Sequence, residues 1–219
     1  MSRTARLQTR LHMCRHGEVD PEHRGRVYGD LDVALAPEGL ARFEALAADL
    51  ADYPFAAIYS SPLRRALDGA RLIAEPHGLD VVVDPRFKEI HRGHWNGLTY
   101  EELEMTHPGA ISSYLDDPDT YAAGGAETHV QLADRVVPAL EELAEVHAGE
   151  EALIVCHAQV MRSSVARLLG MPGRGSLRLM TSYGGITTLD HYEDGVWIVQ
   201  AVNQPTLRRG PWGGRTFQP

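Results

Sequence analysis

Arg15-His16-Gly17-Glu18 places a guanidinium, an imidazole, a glycine and a carboxylate at the end of a strand-like segment whose Leu11, Met13 and Cys14 suit a core. Two other strand-like segments end in the same way. Ser60-Ser61-Pro62-Leu63-Arg64-Arg65 follows "FAAIY", and His157 follows "LIVC". In α/β folds the carboxyl ends of the strands are where ligands bind, so polar clusters at three such ends are candidates for one cleft. Two histidines and at least two arginines in that cleft suit an anion, because the planar guanidinium fork matches the oxygens of a phosphoryl group. A histidine among arginines has its charged form disfavoured. The neutral imidazole that results is a competent nucleophile, so His16 could attack phosphorus.

The elements that would position these groups alternate along the chain. "RLHMCR" reads as a strand, "PEGLARFEALAADLA" as a helix opened by Pro37, "FAAIYS" as a strand and "PLRRALDGARLIAE" as a helix. "LDVVVD" is a third strand. "THVQLADRVVPALEELAEVHA" carries a long helical period, and the apolar strand "EALIVCH" leads into the helix "AQVMRSSVARLLG", closed by Gly170. "GGITTLDHY" and "VWIVQAV", joined through Asp194-Gly195, predict an antiparallel hairpin on one sheet edge. The expected class is three-layer α/β/α with a mostly parallel central sheet plus this C-terminal hairpin. One domain is expected over 1–219. Residues 98–126 form a short helical cap insertion, with Thr99 to Glu102 as a capping box, and 205–219 form a loose tail.

Bulk properties narrow the function. The 219 residues, 43% of them apolar, support a sizeable core, and no run approaches the ~20 apolar residues of a membrane span. A net charge of −9 with scattered arginines disfavours nucleic acid, so any bound anion must be held locally. Two distant cysteines, Cys14 and Cys156, give neither a disulfide framework nor a zinc spacing. The basic start "MSRTARLQTR" leads into a strand-like segment without an apolar secretory region, and the expected compartment is the cytoplasm.

In order along the chain, "RHGE", "YSSPLRRAL", "KEIHRGHWNGLTYEEL", "GGAETHVQLADRV", "LIVCHAQVMR" and the late "VN" resemble the histidine phosphatase superfamily, which includes the phosphoglycerate mutases. The resemblance spans roughly residues 10 to 204. It implies a phosphoglycerate mutase-like fold and a metal-independent phosphomonoesterase. His16 would become phosphohistidine, with Arg15, Arg65 and His157 clamping the phosphoryl oxygens and Glu89 protonating the leaving alcohol. It implies no cofactor, since the clamp takes the place of Mg²⁺. The partner is a small phosphomonoester, and a homodimer is left open. Mutase activity is the alternative, disfavoured by the short stretch from Gly97 to Gly124, which suggests an open pocket. Glu22 stands where the family often has a phosphoryl-contacting asparagine. Ala158-Gln159 replaces the usual Gly-Gly, keeping the N–H donors at a helix start but at a cost of ~1 kcal/mol or more if φ must be positive. Tyr28, with Arg24 and Arg26, could meet a second anionic group of the substrate.

Three other readings compete. Cys156 and Arg162, with five residues between them within "CHAQVMRSS", match a cysteine phosphatase signature, but a phosphate loop needs glycine turns and this segment reads as helix. His91 with His94, or His12 with His16, could supply two metal ligands each, without the carboxylate or thiolate company of a metal site. His91 and His94 read as lining the pocket mouth or bonding a loop, and Trp95 and Tyr100 as packing residues. A binding module that has lost its chemistry is the third, opposed by the complete set Arg15, His16, Arg65, Glu89 and His157.

Overall fold

The structure, a computed structural model, describes residues 5–207. Its centre is the strand β4 (Glu151–Cys156), whose last five residues are all buried. Such a continuous apolar run fits a strand covered on both faces. On one side β4 pairs in parallel with β1 (Leu7–Arg15), on the other with β2 (Phe55–Ser60), which pairs in parallel with β3 (Val81–Val83). The expected hairpin, β5 (Ile186–Tyr192) and β6 (Trp197–Gln204), adds antiparallel to the free edge of β1. The sheet order is β3-β2-β4-β1-β5-β6, so the three strands with polar ends, β1, β4 and β2, are adjacent.

Strand alternation sorts the core into two layers. Cys14, Ile58, Leu153, Val155 and Ile186 face α1 (Pro37–Leu50) and α2 (Arg64–Ala74), where Phe43, Leu46, Leu50, Ala66 and Ile73 close over them. Leu11, Met13, Ile154, Cys156 and Leu189 face the opposite layer, built from α5 (His129–Val146) and α6 (Ala158–Leu168) through Leu132, Leu140, Val160 and Met161. Pro37 opens α1, where its missing N–H costs no helix bond, and a Thr128–Gln131 capping box opens α5.

Within 98–126 lie α3 (Tyr100–Thr106), started by the expected Thr99–Glu102 box, and α4 (Ala110–Asp116). They share a small cluster of their own, Trp95, Leu103 and Ala110. Trp95 is packed as expected, whereas Tyr100 is exposed: it stands on the first turn of α3, on the solvent side of that cluster. A further short helix, α7 (Gly173–Ser176), was not legible in the glycine-rich "MPGRGSL". Among the described residues no helix is long and apolar enough to cross a membrane. Of the expected tail, 208–219 lie outside the described residues.

Candidate active site

The end of β1 is held on both sides. The Arg15 backbone exchanges hydrogen bonds with Gly184 and Gly185, and the His16 N–H donates to the Cys156 carbonyl at 3.0 Å. Gly17 then passes against α1 so closely that a Cβ there would meet the Gly39 carbonyl at 2.7 Å, and one on Gly39 would meet the Glu18 carbonyl at 2.3 Å. This backbone contact requires glycine at both positions and fixes where the His16 ring enters the cleft. The ring is buried, with Nδ1 2.7 Å from the Gly17 carbonyl. A carbonyl only accepts, so Nδ1 carries the proton and the Nε2 lone pair is free. Burial, then the charges of Arg65 and Arg15, hold the His16 pKa well below the usual histidine range, as a histidine among arginines should behave.

Arg65 follows β2 in the first turn of α2 and is fully buried. Its two terminal nitrogens donate to the carbonyls of Leu31 and Gly29, each at 2.6 Å. Arg15 donates to the Thr181 carbonyl at 2.6 Å and lies over the Tyr183 ring at 4.0 Å. His157, at the end of β4, has its ring centre 5.2 Å from that of His16 and its Nε2 2.7 Å from the Ser61 hydroxyl. Burial and the neighbouring arginines push its pKa well down as well. Among the described residues, neither arginine has a carboxylate ion-pair partner, and Arg15 Nε, Arg65 Nε and His157 Nδ1 are buried with no hydrogen-bond partner. Buried polar atoms left unpaired cost ~1–3 kcal/mol each, so three of them on converging side chains mark a place built to receive an acceptor-rich anion.

Glu89 is buried beside this cluster. Its carboxylate accepts from the Ile90 N–H at 3.0 Å and from the Gln159 N–H, near the start of α6, at 3.3 Å. Arg135, paired with Glu127 through two nitrogens, also reaches the carbonyls of Arg86 and Glu89, which fixes the backbone that carries the acid.

Tyr28 joins the cluster: Arg65 lies 5.0 Å from its ring centre, and its hydroxyl is 3.5 Å from that of Tyr183. Ala158 opens α6 with ordinary helical geometry, and the one non-glycine residue of positive φ among the described residues is Asn203, so the Ala158-Gln159 pair carries no left-handed strain. Glu22 is not joined to the cluster. It stands exposed on the single turn Pro21–His23, and the described hydrogen bonds link its side chain to none of the five core residues. Arg24 pairs with Glu38 of α1, and Arg26 with Glu102 of α3 and the Gly97 carbonyl. Arg64 is exposed, and His91 bonds Asp30 on a neighbouring loop at 2.9 Å.

The cysteine reading fails on geometry. Cys156 is a β4 residue packed in the core, with burial pushing its thiol well above the usual range, and the following residues are α6, not a phosphate loop. Among the described residues no group of three or more histidine, cysteine or acidic side chains is placed to hold a metal ion. Two residues were missed as site members, Ser61 and Tyr183. Ser61 sat in the polar strand end already singled out. Tyr183 carried no signal beyond the glycine pair after it, and its position depends on Asn203, whose side chain accepts from the Ser182 N–H at 2.6 Å and donates to the Ser182 hydroxyl at 3.1 Å.

A mixed sheet with paired histidines and arginines at adjacent strand ends defines a phosphoryl-binding α/β protein. Residues 11–205 match the histidine phosphatase superfamily (branch 1), and the chain belongs to that family. It is 36% identical over 170 residues to glucosyl-3-phosphoglycerate phosphatase of Mycolicibacterium vanbaalenii, covering 74% of this chain and 75% of the relative. It is 33% identical over 197 residues to the metal-independent phosphoserine phosphatase of Arabidopsis thaliana, covering 88% and 80%. Among solved structures, a mycobacterial glucosyl-3-phosphoglycerate phosphatase in complex with VO3 superposes with a TM-score of 0.81 at 32% identity, over 89% of this chain and 98% of that one.

Proposed function

We propose that this protein hydrolyses a small phosphorylated metabolite through a phosphohistidine at His16, as a phosphomonoesterase that needs no metal. The observation that carries this reading is the Nδ1–H to Gly17 contact, which leaves Nε2 unprotonated beside three unpaired nitrogens. Nε2 attacks phosphorus while Arg15, Arg65 and His157 take up the charge that spreads over the phosphoryl oxygens. Glu89 gives a proton to the leaving alkoxide, then removes one from the water that cleaves the phosphohistidine. Relatives named for phosphoserine and glucosyl-3-phosphoglycerate support a small metabolite as substrate. Residues 98–126 act as a cap: the backbone of Val27 bonds Leu98 and Gly97, and Arg26 bonds Glu102, tying that segment to the loop that carries Tyr28.

Acid quenching of enzyme turning over radiolabelled substrate would destroy a phosphohistidine, whereas alkaline quenching should preserve labelled protein. The label should vanish in His16→Ala and remain in Cys156→Ser, with chelator leaving the rate unchanged and vanadate inhibiting. Label that survives in His16→Ala but is lost in Cys156→Ser would refute the assignment.

A further inference from the structure

Both terminal nitrogens of Arg65 are spent on the backbone, one on the Leu31 carbonyl and one on the Gly29 carbonyl. Its Nε has no partner among the described residues, so the edge it offers to a phosphoryl group is aimed by those two carbonyls. Between them lies one residue, Asp30. The chain there is a tight turn, closed by the Leu31 N–H donating to the Tyr28 carbonyl at 2.7 Å, and Gly29 enters it at a φ of +36°. Tyr28, whose ring centre lies 5.0 Å from the Arg65 guanidinium carbon, opens the same turn.

The Asp30 side chain reaches a different segment. One carboxylate oxygen accepts from His91 Nδ1 at 2.9 Å and from Asn96 Nδ2 at 3.0 Å, and the other accepts from Lys88 Nζ at 3.0 Å. All three donors lie on the stretch 88–96, with Lys88 immediately before Glu89 and His91 two residues after it. Burial works against a charge on Asp30, yet the hydrogen bonds from His91, Asn96 and Lys88 hold its carboxyl down to about 2, so it stays ionised. A single ion pair near the surface would add little, but three donors on one carboxylate make a network of fixed geometry. The two segments also touch directly. A Cβ on Gly29 would meet Asn96 Oδ1 and the Ile90 carbonyl at 2.9 Å each, so the turn is packed against the residue that follows Glu89.

We infer that Asp30 is a positioning residue for phosphoryl transfer: it braces the turn that orients Arg65 against the segment that carries Glu89, so that clamp and proton donor keep one fixed separation. This rests on the phosphatase reading above. Among the described residues no hydrogen bond joins Arg65 to Glu89, so their separation is set by the segments that hold them. Phosphoryl transfer depends on such placement, and a misplacement of about 1 Å can cost about 100-fold in rate.

The test is Asp30→Ala, read by two measurements that respond to the two ends of the link. The Kd for inorganic phosphate, from calorimetry, reports the clamp without turnover and should rise about 10-fold as the Arg65 fork loses its fixed orientation. The kcat/KM ratio of p-nitrophenyl phosphate to an alkyl phosphate reports the acid, because a weakened clamp acts on both substrates alike; this ratio should also rise about 10-fold. In a Glu89→Gln background, Asp30→Ala should leave the ratio where Glu89→Gln alone puts it, since one proton donor cannot be lost twice. Asp30→Asn, which keeps one acceptor oxygen, should lie between Asp30→Ala and wild type in both measurements. Should Asp30→Ala fail to fold, Lys88→Met and Asn96→Ala each remove one donor and should move both readouts in the same direction. Wild-type protein that hydrolyses neither substrate would sink the phosphatase reading, while the phosphate Kd would still decide whether Asp30 holds the clamp. A change of less than about twofold in either readout would overturn the inference, as would a further rise in the ratio when Asp30→Ala is added to Glu89→Gln.

Discussion

An arginine and a histidine occur together twice, within β1 and at its end, to opposite effect. In its first half, Arg10 forms a two-pronged ion pair with buried Asp190 of β5, at 2.6 and 2.9 Å, and Gln200 completes the carboxylate. His12 lies between Thr188 and Glu151 at 3.0 and 2.9 Å, and Tyr53 donates to the same Glu151. At the far end Arg15 and His16 have no acid among the described residues as an ion-pair partner, and the unpaired Arg15 Nε joins those of Arg65 and His157. A buried arginine or histidine is structural where the fold supplies its counter-charge, and available for a ligand where the fold withholds it.

The largest effect should come from removing proton delivery at the unpaired end. Glu89→Gln should slow hydrolysis of an alkyl phosphate by about 10²- to 10⁴-fold, but that of p-nitrophenyl phosphate much less, because its leaving group needs no proton. Steady-state rates on both substrates check this; equal losses would show that Glu89 only shapes the pocket.

Breaking the paired end should do the reverse. Arg10→Met strands a buried Asp190 carboxylate and should cost about 3 kcal/mol or more of folding stability, read from urea denaturation, while kcat per folded molecule remains close to wild type. A large loss of kcat with unchanged stability would erase the distinction between the two ends.

A smaller effect concerns acid. His16 and His157 have native pKa values well below the usual range, and His129 about 3, whereas in the unfolded chain each returns to about 6.5. Between those values the unfolded state binds protons that the native state does not, so stability falls as pH drops below about 6.5. Each group contributes up to about 1.4 kcal/mol per pH unit. Urea unfolding between pH 6.5 and 5 should show this slope, and His157→Gln should reduce it by about one proton. An unchanged slope in that variant would mean that His157 already holds its proton in the native state.

Much of this was legible in the chain. The apolar runs ending at Arg15, Ser60 and Cys156 announced buried strands, and the residues following them announced a phosphoryl site, because strand periodicity and residue chemistry are local properties. The Thr99–Glu102 box and the Asp194-Gly195 turn are local for the same reason. Helix α7 was hidden because glycine and proline dominate it, and Tyr100 was misread because one aromatic residue does not reveal which side of a short helix faces the cluster.

Sequence by itself therefore determined the strands and their polar ends, while the resemblance to a family singled out Arg15, His16, Arg65, Glu89 and His157, which the fold brings together. Tertiary structure alone decided which charges are cancelled. Arg24 and Arg26 meet Glu38 and Glu102, while Arg15 and Arg65 have no carboxylate as an ion-pair partner among the described residues; Tyr183 reaches Arg15 from a loop that Gly184 and Gly185 tie to β1 and Asn203 ties to itself through Ser182. The reason is physical: the partner of a charged side chain lies tens of residues away along the chain, and Coulomb energy depends on distance and burial in space, neither of which a local pattern encodes.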